Sequence, residues 1–211
     1  MSYGLTDHPL ILASGSPTRK SLLTEAGLLF DVKPASVDED CLKQAAKAEN
    51  LSALDATTMI AEMKAQQISG QYPDAYVIGA DQLLVQGDDW FSKPVSRADA
   101  QASLRALSGQ THQLVTVAVI YENGRRLWHH GESPFVSIRT LDDAAIDAYL
   151  DHLGEAMTAT PGVYMMERLG AQIISKIQGC PYAVLGLPLL PMMAFLREHG
   201  LKPMPTEQAA S

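Results

Sequence analysis

Cysteine and long apolar runs are scarce in this sequence, and each scarcity excludes a class of protein. The chain has only two cysteines, Cys41 and Cys180, which lie far apart and form no Cys-x-x-Cys pair. A disulfide scaffold or a structural zinc site is therefore not expected, and both thiols are predicted to be reduced. No stretch reaches the roughly 18 apolar residues of a membrane-spanning helix, and the N-terminus lacks the basic and apolar regions of a signal peptide.

Basic residues are also few. The 16 lysines and arginines are outnumbered by 24 aspartates and glutamates, which gives a formal net charge of −8 and a pI near 5.1. Because polyanion binding depends on a basic surface, nucleic-acid binding through the overall field is excluded. A small anionic ligand is not excluded, but its charge has to be met by a few well-placed basic residues.

The length and composition indicate a single globular domain. The chain has 211 residues, of which 46% are hydrophobic and 19% are charged. A domain of this size buries roughly 70% of the surface that its unfolded chain exposes, so its core needs no covalent support. We therefore predict one domain over residues 1–211, with flexible ends at residues 1–8 and 203–211.

The order of apolar runs and turns predicts an α/β fold with a mixed sheet flanked by helices. An apolar run at Leu10–Ala13 precedes a Ser-Gly-Ser-Pro turn and a helix, and a second buried strand is predicted at Tyr76–Ala80, closed by Asp81. The β-branched residues of 111–121, followed by Asn-Gly, predict a long central hairpin whose return strand runs over 127–139. The hairpin and the helix after it are expected to form a second lobe, with a ligand cleft between the lobes.

The first turn of the chain has the residues of a phosphate cradle. Ser14, Gly15 and Ser16 lie between the first strand and the helix that Pro17 opens, so hydroxyls and backbone N–H groups meet the positive end of a helix dipole. Arg19 follows in the first helical turn. The segment is neither a P-loop nor a G-x-G-x-x-G motif, and a capped turn with solvated basic residues is the alternative explanation.

Further charged residues are candidates for chemistry, although each has a simpler explanation. Asp81 follows a buried strand, where it can bind a divalent metal, accept a proton from water or merely cap a turn. Lys93 precedes a proline, which restricts it to an extended conformation, but it can equally be a solvated lysine. Lys64 lies in the predicted long helix, where lysines are usually on the surface. The run Asp38-Glu39-Asp40 either solvates a loop or supplies a metal ligand shared with Asp81.

Several short motifs occur in a fixed order, and together they resemble the Maf-like nucleoside triphosphate pyrophosphatases. The resemblance covers about residues 9–200. The matching segments are Leu10-Ile-Leu-Ala-Ser-Gly-Ser-Pro-Thr-Arg-Lys-Ser-Leu-Leu, Val37-Asp38-Glu39, Lys64 in the long helix, Ile78-Gly79-Ala80-Asp81-Gln82, Ser92-Lys93-Pro94, Leu107-Ser108-Gly109-Gln110-Thr111-His112 and Gly186-Leu187-Pro188-Leu189.

The resemblance implies a hydrolase that cleaves a nucleoside triphosphate between the α and β phosphates and clears modified nucleotides, with Mg²⁺ or Mn²⁺ as cofactor. It also implies a fold like that of inosine triphosphatases, a cytoplasmic location and a homodimer. The site residues that it implies are Ser14, Arg19, Lys64 and Lys93 at the phosphates, Asp81 as catalytic base, and Glu39 and Asp81 as metal ligands. How the two acids divide these roles is left open. Such a set suits the reaction, because water attack on a phosphoryl centre needs mainly positioning and charge neutralisation.

Three positions depart from common family patterns and bear on the substrate. Thr18 stands where many members have arginine, Gln82 where many have threonine, and Glu167 where the pyrimidine-specific members have glutamine. Gln82 and Glu167 resemble the branch that acts on 7-methyl-GTP, whereas Thr18 matches neither branch.

The chemistry of Glu167 favours a guanine-type base. A carboxylate accepts hydrogen bonds from the N1–H and N2–H₂ edge of guanine and complements the positive charge of an N7-methylated base, whereas glutamine suits uracil or thymine. We therefore expect a substrate such as 7-methyl-GTP. The alternatives are a Glu167 side chain that points into solvent, a dTTP or UTP pyrophosphatase, and a non-catalytic nucleotide-binding regulator of cell division.

Overall fold

An eight-stranded mixed β-sheet organises the chain. The computed structural model describes Gly4 and residues 6–202; residues 1–3, 5 and 203–211, which include most of the two predicted flexible ends, lie outside them. The strands are β1 Leu10–Leu12, β2 Asp31–Val32, β3 Tyr76–Gln86, β4 Asp89–Phe91, β5 Thr111–Glu122, β6 Arg125–Glu132, β7 Phe135–Ile138 and β8 Ile174–Gln178. The helices are α1 Pro17–Glu25, α2 Glu39–Ala48, α3 Ala53–Ser69, α4 Arg97–Leu107, α5 Asp143–Leu153, α6 Pro181–Val184 and α7 Leu189–Glu198, with 3₁₀ turns at Gly154–Thr158 and Leu169–Gln172.

The sheet has the strand order β2-β1-β3-β5-β7-β8, with β4 paired to β3 and β6 paired to β5. Strand β1 is parallel to β2 and β3, and the other pairs are antiparallel. The predicted mixed sheet and central hairpin are confirmed, but the return strand is divided into β6 and β7. The break contains Pro134, which lacks the N–H group that a continuous ladder would need.

Strand β3 is longer than the sequence indicates, and this moves Asp81. The prediction that the strand closes at Ala80 is wrong, because β3 continues to Gln86 and Asp81 lies within it. The parallel ladder with β1 reaches only Ile78, whereas the antiparallel ladder with β5 pairs every residue from Val77 to Val85. Pairing with the distant strand β5 therefore carries β3 past Asp81 and Gln82, the polar pair that marks its apparent end.

The helix starts follow local capping rules. A side chain at the residue before each of five helices accepts a hydrogen bond from the backbone N–H three residues on, as good N-caps do. These N-caps are Ser16, Asp38, Ser52, Ser96 and Asp142. Within the described part of the chain, none of the helices is long and apolar enough to cross a membrane.

Side chains alternate between the two faces of β3, and this alternation separates neighbouring polar residues. Ile78 and Ala80 pack in the cluster with α1 and α7, while Val77 packs with α3 on the other face. Because successive strand residues point to opposite faces, Asp81 lies on the α3 face and Gln82 on the opposite one. Gly79 brings α3 close to the strand, since a Cβ at this position would lie 2.2 Å from the backbone oxygen of Ala61.

Candidate active site

The candidate site lies where β1 ends and β3 continues. The last backbone contact between the two segments is the hydrogen bond from Ala13 N–H to the Ile78 oxygen, at 2.8 Å. Beyond it the chain turns through Ser14, Gly15 and Ser16 into α1, beside the stretch of β3 that carries Asp81. Strand β1 therefore stops short, and the sheet edge at this point is open to the turn, as at the ligand sites of many α/β sheets.

Arg19 joins the turn to both neighbouring elements. Its guanidinium donates to the Ser14 hydroxyl at 3.1 Å, the Ala80 carbonyl at 2.9 Å and the Gly186 carbonyl at 2.9 Å. The Arg19 side chain is buried. Burial lowers the pKa of Arg19, and the negative charges of Asp81 and Glu39 oppose this shift. A guanidinium keeps its charge in proteins, so Arg19 holds a fixed positive charge below the turn.

Lys64 forms the centre of a cluster of four charges. Its ammonium group lies 2.8 Å from Asp81 Oδ1 and 2.6 Å from Glu39 Oε1. The side chains of Lys64 and Asp81 are only 6% and 4% exposed, whereas that of Glu39 is 39% exposed. With Arg19, the cluster has two positive and two negative side chains and is neutral as a whole.

The two carboxylates of the cluster differ in how fully they are satisfied. Oδ2 of Asp81 is buried and has no hydrogen-bond partner among the described residues. Burial alone would raise the pKa of Glu39, but the charge and hydrogen bond of Lys64 outweigh it, so the pKa is lowered. Glu39 is therefore held ionised, and Asp81 presents an oxygen with no partner. Such an orphaned oxygen is unusual in a native interior and indicates a missing cation, water or ligand.

Gln82 is held on the opposite face of the sheet. Its amide nitrogen donates to the Thr116 hydroxyl at 2.8 Å and to the carbonyls of Ala183 and Val184 at 2.8 and 3.3 Å. Thr116 also donates to the Ala183 carbonyl, at 2.9 Å. The amide nitrogen is thus fully used in tying β3 and β5 to α6, and only the amide oxygen is left to accept a hydrogen bond from a ligand.

The structure does not bring every predicted site residue into this cluster. Ser14, Arg19, Glu39, Lys64 and Asp81 are joined by the contacts described above. Thr18 is partly buried in the first turn of α1, next to Arg19 in sequence. Lys93 and Glu167 are both exposed, and neither makes an ion pair with the described residues. Their predicted contacts with the phosphates and the base therefore stay predictions.

Two buried polar residues, one in β5 and one in the loop before β8, were not predicted as functional. His112 is 1% exposed, and its Nε2 lies 2.6 Å from the Tyr164 hydroxyl. The two residues are 52 positions apart, so no local pattern indicates the pair. The sequence signals are the matching segment 107–112, which ends at His112, and the alternation of β5, which places His112 on the same face as the buried Leu114.

Comparison with known proteins gives the family. The Maf-like protein family model matches residues 9–199. A nucleoside triphosphate pyrophosphatase of Rhodospirillum rubrum is 44% identical over 193 residues, which are 92% of this chain and 96% of that protein. The chain therefore belongs to the Maf-like family, as its motifs indicated.

Other relatives have a narrower name. The 7-methyl-GTP pyrophosphatase of Mesorhizobium japonicum is 41% identical over 191 residues, and that of Rhizobium meliloti is 38% identical over 191 residues. In both cases the match covers 90% of this chain and 96% of the relative.

Proposed function

We propose that this Maf-like protein is a nucleoside triphosphate pyrophosphatase that hydrolyses the α–β phosphate bond of a guanine-type nucleotide such as 7-methyl-GTP. It releases the nucleoside monophosphate and pyrophosphate and clears modified nucleotides. The observation that carries the proposal is the buried cluster at the end of β1, in which Lys64 lies between two carboxylates and Asp81 keeps one oxygen without a partner.

The donor set of the cluster suits a divalent cation. Glu39 and Asp81 would hold Mg²⁺ or Mn²⁺, and the orphaned Oδ2 of Asp81 fits this use. Among the described residues there is no group of three or more metal-binding side chains. The remaining ligands must then come from phosphate oxygens and water, which is how Mg²⁺ is usually held in phosphoryl-transfer enzymes. When bound, the cation neutralises charge on the triphosphate.

The charge balance of the cluster explains why a cation and a triphosphate would bind together. A neutral group of four side chains has little attraction for a polyanion, because the two carboxylates offset the charges of Lys64 and Arg19. With a cation on the two carboxylates, the ammonium group of Lys64 would be available to a phosphate oxygen. Arg19, which is fixed by two carbonyls, cannot move in this way and would position the turn at Ser14.

Asp81 is the residue best placed to act on the attacking water. Where Glu39 holds the cation, Oδ2 of Asp81 is free to accept a hydrogen bond from the attacking water, to orient it and to take its proton. Lys64 keeps the other oxygen of the same carboxylate in place. The amides of Gly15 and Thr18 at the start of α1, together with the Ser14 hydroxyl, would hold the phosphates, while Lys93 would approach from the exposed segment after β4.

Base selection is assigned to Glu167, with Gln82 and Thr18 in supporting places. The carboxylate of Glu167 complements the donor edge of guanine and the charge of an N7-methylated ring. The relatives named 7-methyl-GTP pyrophosphatases support the same substrate for this chain. Gln82 would contribute only its amide oxygen, because its nitrogen is bound to α6.

A substrate panel tests the proposed specificity. Pyrophosphate release is measured with 7-methyl-GTP, GTP, UTP and dTTP in the presence of Mg²⁺ or Mn²⁺. We expect 7-methyl-GTP to be the best substrate and Glu167→Gln to reduce its advantage. Strong turnover of UTP and dTTP with none of 7-methyl-GTP would show that the guanine assignment is wrong.

A second experiment separates the enzyme from a nucleotide-binding regulator. Asp81→Asn keeps the size of the side chain but removes its negative charge and its capacity to take a proton. We expect turnover to be lost while the nucleotide still binds, measured by calorimetry with a non-hydrolysable analogue. If the wild-type protein binds nucleotides but releases no pyrophosphate from any of them, the result would support the non-catalytic regulator instead of the enzyme.

The proposal includes a homodimer in the cytoplasm. Cytoplasmic nucleotide pools are the natural source of the substrate, and the dimer is implied by the family resemblance alone. Analytical ultracentrifugation of the full chain tests the oligomeric state, and a monomer at micromolar concentration would remove this part of the proposal.

A further inference from the structure

A histidine and a tyrosine from distant parts of the chain form a buried pair outside the charge cluster. His112 in β5 and Tyr164, in the loop after the Gly154–Thr158 turn, are 2.6 Å apart between Nε2 and the hydroxyl. Their rings lie 5.6 Å apart between centroids at an angle of 48°. Burial lowers the pKa of His112 to about 4 and raises that of Tyr164. Both groups are therefore uncharged at neutral pH, and the contact is a neutral hydrogen bond.

The His112–Tyr164 pair stabilises the core less well than apolar side chains would. Nδ1 of His112 is buried and has no partner among the described residues. An unsatisfied buried nitrogen is unfavourable, and an apolar side chain at the same place would avoid it. The retention of a polar pair in this cluster of leucine, isoleucine and valine side chains calls for a role beyond packing.

The pair holds one end of a strained turn. The Thr160 hydroxyl donates to the Tyr164 carbonyl at 2.9 Å, and the Val163 N–H donates to the Thr160 carbonyl at 3.1 Å. Val163 has a φ of 59°, which is rare for a β-branched residue and persists only where the surroundings impose it. The Tyr149 hydroxyl donates to the Val163 carbonyl at 3.1 Å, so α5 holds the turn from the other side.

The 160–164 turn is also packed against β3, the strand that carries Asp81. A Cβ on Gly162 would lie 2.4 Å from Cε1 of Tyr164 and 3.0 Å from Cδ1 of Leu84. The glycine is thus pressed between the Tyr164 ring and a residue of β3 that lies three positions after Asp81. Glu167 follows Tyr164 by three residues. The position of the tyrosine therefore relates the segment that carries Glu167 to the strand that carries Asp81.

We propose that His112 and Tyr164 are positioning residues for base selection: their hydrogen bond holds the 160–164 turn against β3 and fixes where Glu167 meets the base. This inference rests on the proposed function, in which Glu167 contacts the base. Neither residue needs to touch the substrate. The pair fixes the conformation of the strained turn. A small change in His112 or Tyr164 therefore shifts the exposed segment that follows the turn.

The test removes the hydrogen bond and retains the packing. Tyr164→Phe keeps the ring over Gly162 and loses only the hydroxyl. We expect KM for the preferred triphosphate to rise about tenfold, as for the loss of one buried hydrogen bond, with kcat within about twofold of wild type, so that its selectivity over the other triphosphates falls. His112→Leu should have the same effect, and His112→Gln, which restores a polar group near Nε2, should recover most of it. Tyr121→Phe, another buried tyrosine whose hydroxyl has no partner among the described residues, is the matched control.

A structural readout is independent of activity. Arg168 is exposed directly after Glu167, so trypsin cleavage there reports on release of the segment. We expect faster cleavage after Arg168 in Tyr164→Phe and His112→Leu than in Tyr121→Phe, as measured by mass spectrometry of the folded proteins. If the wild-type protein prefers pyrimidine nucleotides, the guanine assignment fails, but the expected fall in selectivity and the faster cleavage still test the positioning role.

Two results would overturn the inference. One is unchanged substrate ratios and unchanged cleavage at Arg168 in both variants. The other is an equal loss of kcat for every triphosphate with KM unaffected. That result would mean that the pair supports β3 and Asp81, or the fold in general, and not base selection. Should Tyr164→Phe not fold, Val163→Gly takes its place, because it relieves the strained φ and leaves both partners in place. It is expected to fold and to lose selectivity, and retained selectivity would count against the role.

Discussion

Removal of the Lys64 ammonium group is the sharpest test of the charge cluster. Lys64→Met keeps a linear side chain of similar length but leaves Asp81 without its positive partner at 2.8 Å. The side chains of the pair are 6% and 4% exposed, so solvent cannot replace the lost contact. Breaking a buried ion pair by removing one partner costs about 3–5 kcal/mol. The second pair of Lys64, with the 39% exposed Glu39, should add less than about 1 kcal/mol.

The pH dependence of this loss has a definite sign. The pKa of Glu39 is lowered in the folded protein, so its ionised form contributes stability above its ordinary pKa and loses it as the pH falls through the folded value. Without Lys64 only the effect of burial and the more distant basic residues act on this carboxyl, and the stabilising shift is lost. The difference between wild type and Lys64→Met should therefore be largest near neutral pH and should shrink below about pH 4.5.

The measurement is urea unfolding followed by the fluorescence of Trp90 and Trp128. The double variant Lys64→Met/Asp81→Asn removes both charges of the buried pair and should recover more than half of the lost stability, because no uncompensated charge remains inside. Lys93→Met is the control, since this lysine is exposed and its replacement should change stability by no more than about 0.5 kcal/mol. A loss below about 1 kcal/mol in Lys64→Met, or no recovery in the double variant, would refute the argument.

Two further variants test how the site is supported. Gly79→Ala places a Cβ 2.2 Å from the Ala61 oxygen and 2.7 Å from Ala65 Cβ, so α3 must move away and carry Lys64 from Asp81; a destabilisation of at least about 1–3 kcal/mol with a loss of turnover is expected by thermal unfolding and pyrophosphate release. Gln82→Thr removes the hydrogen bonds to Ala183 and Val184 and should cost about 1–3 kcal/mol by urea unfolding. Unchanged stability in the second variant would show that α6 is held in place by other contacts.

Local signals explain the parts of the fold that the sequence predicts well. A capping serine or aspartate acts within three residues, so the start of α1 follows from the sequence, and the starts of α3, α4 and α5 are set by contacts of the same short range. The Asn123-Gly124 turn acts over four residues and sets the central hairpin correctly. Interactions of this range are visible in one sequence because both partners lie in the same short window.

The features that were missed depend on partners far along the chain. The extension of β3 past Asp81 follows from its ladder with β5, and the place of Arg19 follows from carbonyls 61 and 167 residues away. The pair of His112 and Tyr164 spans 52 residues. In each case the local pattern fits the structure only after the partner is known, so composition and periodicity could name the residue types but not the contacts.

The alternation of side chains along β3 determines how the consecutive residues Asp81 and Gln82 are arranged in the site. A strand that ended at Ala80 would let both side chains point into the same cleft, and the sequence motif favours that picture. Within a continuous strand they face opposite sides of the sheet, Asp81 toward Lys64 of α3 and Gln82 toward α6. In the proposed function, a nucleotide that meets both residues would pass over the open sheet edge where β1 stops, with its phosphates on the α3 side and its base toward α6. One more pair of residues in the ladder of β1 with β3 would cover this part of the edge, so the short length of β1 leaves the sheet open beside Asp81 and Gln82.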